Sequence, residues 1–328
     1  MTDATHPTHP ARPRRDVWLT AGLVAVMVLG LAGLAAATGW QETWASIGRL
    51  TPGQVALLLL LALANYMLRA LRWQLYCRVQ RIPVTFRQTL RHYLGGFAMT
   101  ATPGRVGELV RLRWITQETG TPLERCAALV VVDRAADLAA IGLLTAVAVA
   151  FSTAGLAGGL PVAVLSVVAA IMVTRASLLT AALELGWRLL GRWPRLFGRA
   201  RRAAQALRPF SAWQVVLPAL ALGGLGWLAE GLSFHLLLGW MGAEVSLWTA
   251  VGIFLIAMVT GGATGAPGGL GGAEAAMVAL LTLEGVPLSV SIPATAVIRL
   301  TTLWFAIAIG LAMFPLATRA ATRGAHAA

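Results

Sequence analysis

The chain has 328 residues, 58% of them hydrophobic and only 12% charged, with a mean hydropathy of +0.74. This composition points to an all-α polytopic membrane protein, because several apolar runs approach the roughly 20 residues a spanning helix needs. The formal charge of +13 is not a nucleic-acid signature, since its cationic residues are all arginine and fall mostly between apolar runs, as the positive-inside rule expects of cytoplasmic loops.

Residues 1–16 are polar and proline-containing and are expected to form a disordered cytoplasmic tail. His6 and His9 lie in it and fit a solvated tail better than a metal site. Arg12, Arg14 and Arg15 precede an apolar run as in a signal peptide. That run continues to about Thr38 without a small-residue cleavage site, so a retained first span is expected over Val17–Thr38. Trp40 and Trp44 suit an outer interface. The second span is expected over Pro52–Leu71, with proline near the start, where helices tolerate it. It ends among Arg69, Arg72, Arg78, Arg81, Arg87 and Arg91, a cytoplasmic end. Asn65, Arg69 and Arg72 share one helical face, and Trp73 stands beside Arg69. Arg78 and Arg81 read as snorkelling anchors; Arg69 and Arg72 read either as anchors or as a polar face that Asn65 extends inward.

From His92 to Thr102 the chain is apolar for only half a span. It breaks at Pro103-Gly104 and returns to Arg105, Arg111 and Arg113, which predicts a hairpin entering and leaving on the cytoplasmic side. Leu123–Phe151 crosses outward, Gly155–Pro161 turns, and Val162–Val173 returns. Residues 175–208 form a basic cytoplasmic arm in which Trp187, Leu189, Leu190, Trp193, Leu196 and Phe197 interleave with arginine, the interfacial amphipathic pattern. Plain positive-inside topology accounts for this arm; a lipid-binding regulatory site is the alternative. Trp213–Gly239 crosses outward and Trp240–Trp248 forms an outer loop. Leu247–Gly262 runs inward and breaks at Pro267-Gly268, and Ala273–Leu283 returns. Neither limb has flanking arginine, so both ends are expected outside. Ile292–Leu316 crosses inward and ends at Arg319 and Arg323. Cys77 and Cys126 fall on the cytoplasmic side, where a disulfide is not expected.

The expected architecture is therefore about six full spans plus two re-entrant hairpins in an inverted-repeat-like arrangement, or eight spans if each limb of the second break crosses fully. One transmembrane domain covers 17–317, and 318–328 form a second cytoplasmic tail. Aligned on the prolines, Thr100 faces Thr264, Gly104 faces Gly268, Val106 faces Leu270 and Gly107 faces Gly271. Proline and glycine are ill suited to a simple lipid-facing span, and paired interruptions in two halves point to a transporter binding site.

Intramembrane charges each need an account, because one costs roughly 2.5–3.5 kcal/mol on insertion scales. Asp133 and Asp137 share a face and flank Arg134. They are either a packing salt bridge to Arg69, Arg72, Arg105 or Arg125, or functional groups. Glu108 and Glu274 each follow a break, where a carboxylate also suits a helix start. Glu274 stands alone in an uncharged stretch. Arg299 lies roughly 13 Å into the last span at helical rise, so Glu274–Arg299 is the preferred pair, with Glu230 as a possible second partner. His235 lies five residues beyond Glu230, a spacing that does not place the two well on one face.

The ordered set Arg69-Ala-Leu-Arg72-Trp73, Pro103-Gly-Arg-Val-Gly-Glu-Leu-Val-Arg111, Asp133-Arg134, Pro267-Gly-Gly-Leu-Gly-Gly-Ala-Glu274 and Arg299 resembles the lysylphosphatidylglycerol synthase transmembrane-region family, which includes the flippase-like membrane portion of the multiple peptide resistance factor. The resemblance covers residues 15–320. It implies a multi-pass protein of the cell inner membrane, both termini cytoplasmic, that moves or helps move a lipid between leaflets. Implied cargoes are anionic or aminoacylated phospholipids, polyprenyl-linked carriers or hopanoid-type lipids, with a lipid synthase as a possible partner. The resemblance marks Arg69, Arg72, Arg105, Glu108, Arg111, Asp133, Arg134, Glu274 and Arg299, and the breaks add Pro267, Gly268 and Gly271. The soluble synthase domain is not expected here, so lysyl transfer is not carried over, and no cofactor, metal or ATP motif is expected. The rival classes are a membrane-embedded enzyme of lipid metabolism, for which Asp133 and Asp137 are the paired carboxylates, and a scaffold that binds a lipid synthase.

Overall fold

The computed structural model describes residues 50–100, 106–151 and 207–327, with isolated positions at 45, 48, 161, 164, 165, 168, 181 and 184. The N-terminal tail, the expected first span, the first Pro-Gly pair with Arg105, and nearly all of the basic arm fall outside these residues.

Helix α1, Pro52–Val79, starts at a capping box: the Thr51 side chain accepts from the Gln54 amide at 3.3 Å, and Gln54 accepts from the Thr51 amide at 2.8 Å. Proline at the first position has no amide to leave unsatisfied. The helix runs two turns past the expected Leu71. Its last turns bury Trp73, Tyr76 and Cys77 against Tyr93, Leu112, Leu129 and Phe210, and that packing carries the helix through its arginines. It closes at Arg81, which holds φ 52°, with the Ile82 amide donating to the Cys77 carbonyl at 2.9 Å, the six-to-one bond of a Schellman end.

Helix α2, Phe86–Gly96, begins six residues before the expected limb. Thr85 and Gln88 form a second capping box there. A tight 3-10 turn over Phe97–Met99 follows. Helix α3, Val106–Thr119, returns antiparallel to α2. Glu118 meets Arg91 and His92, and a methyl on Gly107 would lie 2.3 Å from the Gly96 carbonyl oxygen. The two limbs touch backbone to backbone, so glycine is required at that crossing.

Helix α4 is Leu123–Phe151, as the sequence predicts, and α5 is Trp213–Trp240. Helix α6, Leu247–Ala263, leads through a short 3-10 turn at Pro267–Gly269 into α7, Gly272–Leu283. Helix α8, Leu288–Arg299, passes without a break through a π-helical turn, Leu300–Trp304, into α9, Phe305–Ala327. The expected last span, Ile292–Leu316, lies inside this longer rod.

Helix α1 packs along α5; α6 lies against α5 and α4; α7 pairs with α6 and touches α8; α9 supports both limbs and the turn of the α2–α3 hairpin. A methyl on Gly310 of α9 would sit 2.1 Å from the Ala98 amide nitrogen, so this support is also a backbone contact. The larger core cluster joins Trp227, Phe234 and Phe254 with Val251, Met277 and Ile298. Among the described residues, three helices are long and apolar enough to cross a membrane: Pro52–Val79, Trp213–Trp240 and the continuous Leu288–Arg323.

Candidate functional site

The two hairpins, α2–α3 and α6–α7, approach at their tips. A methyl on Gly268 would lie 3.8 Å from the Thr100 carbonyl oxygen, with the Leu303 side chain 3.3 Å away. Between the hairpins and the central helices is a cavity of about 600 Å³. Its wall brings together Asn65, Arg69, Glu108, Arg111, Arg134 and Asp137 with Glu230, Gly268 and Arg299. These come from positions 65 to 299 and from both halves. Arg72, Asp133 and Glu274 stand behind this wall, each bonded to a group that lines it. Pro267 and Gly271 shape the second tip without lining the cavity, and Arg105 lies outside the described residues.

The wall between α1 and α4 is an ion network. Arg72, 0% exposed, donates to Asp133 Oδ1 from Nε (3.0 Å) and Nη2 (2.7 Å), and from Nη2 to Asp137 Oδ1 (2.7 Å). Arg69 donates to Asp137 Oδ2. Arg134 reaches Asp133 at 2.9 Å, Asp137 at 3.3 Å and Glu108 at 3.3 Å. Arg69 and Arg72 are therefore internal ligands of the aspartates, whereas Arg78 and Arg81 are exposed. Arg125 lies apart, donating to the Gln80 carbonyl at 2.6 Å. The i,i+4 spacing of Asp133 and Asp137 puts both carboxylates toward α1, where two arginines one turn apart meet them. Helix α5 leaves room for this: a Cβ on Gly223 would fall 2.6 Å from Arg72 Nη1, and one on Gly226 would fall 2.5 Å from Asn65 Oδ1.

At the second tip, Arg299 binds three groups. Its Nε donates to Glu274 Oε1 at 2.6 Å, its Nη2 to the Gly268 carbonyl at 2.7 Å, and its Nη1 to the Met258 sulfur at 3.8 Å. The expected Glu274–Arg299 contact is present, and it also holds the break itself. Gly268 and Gly269 have φ of 62° and 69°, conformations that favour glycine. The π-helical turn that follows Arg299 disturbs the regular carbonyl ladder, and Tyr66 donates to the Thr302 carbonyl within it. Such turns occur frequently at functional sites. Glu230 is not bonded to Arg299. It accepts from Asn65 Nδ2 at 2.6 Å. His235 contacts the Val245 carbonyl at 3.0 Å.

Arg111 has no carboxylate partner among the described residues. Only 4% exposed, its guanidinium lies 4.0 Å from the Tyr93 ring centroid and 5.0 Å from that of Trp73. Its Nη2 reaches the Tyr93 carbonyl at 3.5 Å, while Nε and Nη1 have no hydrogen-bond partner. Trp73, expected beside Arg69, thus serves Arg111, and Arg69 stacks instead on Trp227 at 5.1 Å. Sequence reasoning missed Tyr66, Tyr93, Trp227 and the glycine groove of α5. Only the groove has a local signal, the Gly223-Gly224-Leu225-Gly226 run.

Apolar helices of spanning length, with a charged cavity lined by two broken hairpins, define an integral membrane protein with a polar site among its helices. Residues 18–310 match the family described as the lysylphosphatidylglycerol synthase TM region, and the chain belongs to that family. It is also similar to a relative described as a UPF0104 membrane protein from Methanothermobacter thermautotrophicus, with 27% identity over 318 residues, covering 89% of this chain and 94% of the relative.

Proposed function

We propose that the protein is an inner-membrane lipid transporter that carries an anionic headgroup between leaflets through the cavity, with the acyl chains remaining in lipid. The observation that carries this reading is Arg111: a buried cation on the cavity wall, packed against two aromatic rings, with its Nε and Nη1 nitrogens unbonded. A guanidinium so placed suits a phosphate oxygen, because it presents fixed donors and loses little freedom on binding. The paired breaks support the same reading, since two interrupted hairpins facing one cavity offer a site that each half can open in turn. In this arrangement the α2–α3 hairpin enters from the cytoplasm, the α6–α7 hairpin enters from outside, and both termini are cytoplasmic. Membership of a lipid-related family supports a lipid cargo, with phospholipid, polyprenyl-linked and hopanoid-type lipids as the candidates and a lipid synthase as a candidate partner.

An enzyme using Asp133 and Asp137 is less well supported. Their oxygens accept from Arg69, Arg72 and Arg134, which occupies the lone pairs that metal binding or general-base work needs. The test is reconstitution into liposomes carrying fluorescent phosphatidylglycerol, with leaflet-specific quenching. Wild type should accelerate exchange between leaflets, and Arg111→Gln should slow it by about tenfold to a hundredfold, the range of a lost hydrogen-bonded charge. Equal rates in wild type and Arg111→Gln would remove Arg111 from the path, and chemical conversion of the lipid would favour the enzyme.

A further inference from the structure

Glu230 differs from the other carboxylates of the site in its partner. Among the described residues, Glu108, Asp133, Asp137 and Glu274 each touch at least one arginine. Glu230, 6% exposed and on the cavity wall, has the Asn65 amide at 2.6 Å and, among the described residues, no arginine within ion-pair distance. The chemistry of the partner matters. Arginine only donates and is charged, so it favours an ionised carboxylate. A primary amide both donates and accepts, so it can serve an ionised acid through nitrogen or, after a half-turn, a protonated one through oxygen. Asn65 Oδ1 has no partner of its own.

The charged and titratable groups acting on Glu230 are otherwise committed. Arg69 of α1 is bound to Asp137 of α4, Arg299 of α8 to Glu274, and Tyr66 of α1 to the Thr302 carbonyl; Asp137, a carboxylate whose charge also acts on Glu230, is held by Arg69, Arg72 and Arg134. Helix α6 has no charged residue. Arg208 precedes α5 and so lies about five turns from Glu230.

The charges of the site balance. Among the described residues that line the cavity or are ion-paired to its lining, Arg69, Arg72, Arg111, Arg134 and Arg299 match Glu108, Asp133, Asp137, Glu230 and Glu274. Arg111 and Glu230 are the two members without an opposite charge in contact. Counted over the described residues, a monoanionic headgroup on Arg111 leaves one negative charge in excess. Protonating Glu230, the acid free of arginine, removes it.

We propose that Glu230 is the proton carrier of the transport cycle, taking up one proton with each singly charged anionic headgroup. The inference rests on the transport reading above. A proton passes from water to a Glu230 oxygen and returns to water on the other side, and no bond in the lipid is made or broken. The coupling is reciprocal, so bound anion favours the proton and bound proton favours the anion.

In liposomes with fluorescent phosphatidylglycerol and an imposed pH difference, wild type should accumulate the lipid in the leaflet facing the alkaline side, by roughly tenfold per unit of pH difference. Protein-free liposomes give the baseline. Glu230→Gln, which keeps the bond to Asn65, should still exchange the lipid but show no accumulation, while Glu230→Asp should keep it. A wild type indifferent to the gradient, or a Glu230→Gln that accumulates equally, overturns the coupling. Infrared spectroscopy of the reconstituted protein tests the site independently of transport. Wild type should show a carboxylic-acid C=O band that titrates with pH and is missing in Glu230→Gln. If no lipid moves but the band titrates, the transport reading falls and the proton site stands; a wild type without the band overturns the site.

Discussion

At the scale of single residues, position matters less than partner. Arg72 is fully enclosed, and its fork holds Asp133 and Asp137 together. Removing it would leave Asp133 with Arg134 alone and would leave a void opposite Gly223. Breaking a buried pair from one side typically costs about 3–5 kcal/mol, because the remaining charge stays desolvated. Arg72→Met should therefore lower the thermal unfolding midpoint strongly in detergent. Arg72→Lys should fall between the two, since a single ammonium cannot match the guanidinium fork. The Arg72→Met, Asp133→Leu double variant should lose less than the two single changes added together. Wild-type unfolding of Arg72→Met would show that the network does not hold α1 to α4. The Glu274–Arg299 contact was legible in the sequence because an isolated acid and an isolated arginine in apolar stretches each need a partner. Arg111 itself was marked by the resemblance, but its aromatic setting was not legible. A cation packed against Tyr93 and Trp73 leaves no local pattern, and Trp73 next to Arg69 in helical register suggested the wrong pair.

Among elements, α2–α3 shows how a short hairpin is held when neither limb is long enough to stand alone. Its tip is fixed by the Gly96–Gly107 contact and its base by Glu118, which accepts from Arg91 at 2.6 Å and Gln88 at 2.8 Å and meets His92 at 3.1 Å. Burial pushes the Glu118 carboxyl up, but the contact with His92, the charge of Arg91 and the Gln88 hydrogen bond outweigh it and hold the group below the ordinary carboxylate range. A carboxyl depressed on folding stabilises the fold above its unfolded value of about 4.3 and loses that contribution as pH falls through its folded value. The stability difference between wild type and Glu118→Gln should therefore be largest near neutral pH and vanish in acid. A difference that stays constant with pH would mean that Glu118 acts by shape alone. Element reading succeeded where an apolar run set the bounds, as for α4, and fell short where a cap did. Searching for apolar length placed the first limb at His92, whereas Thr85 and Gln88 start the helix at Phe86. The π-helical turn after Arg299 gave no local sequence signal, and the Tyr66 hydroxyl that donates to its Thr302 carbonyl comes from far away in sequence.

For the whole molecule, the side from which each hairpin enters sets the access route to the cavity. Helix α6 has 17 residues, about 25 Å at helical rise, and α7 has 12, about 18 Å, against a hydrocarbon core of about 30 Å. Both limbs are short for a full crossing, and their junction at Gly265–Gly271 carries backbone groups that need water or protein partners. Arg299 meets one such need at Gly268. Single-cysteine labelling with an impermeant reagent can decide this, because native Cys77 and Cys126 are both buried. Cysteines at Glu244 and Gly285, both exposed, should label from outside only. Cysteines at Arg81 and Glu124, also exposed, should label from the cytoplasm only. The decisive position is Thr264, exposed at the second tip. If α6–α7 is re-entrant, Thr264→Cys should label from outside, and Ala263→Cys, which is exposed and lines the cavity, should label more slowly under saturating anionic lipid as the headgroup fills the cavity. Labelling of Thr264→Cys from the cytoplasm alone, regardless of lipid, would make α6 and α7 two short crossings. The two halves would then not be inverted copies, and the access route from outside would need another opening.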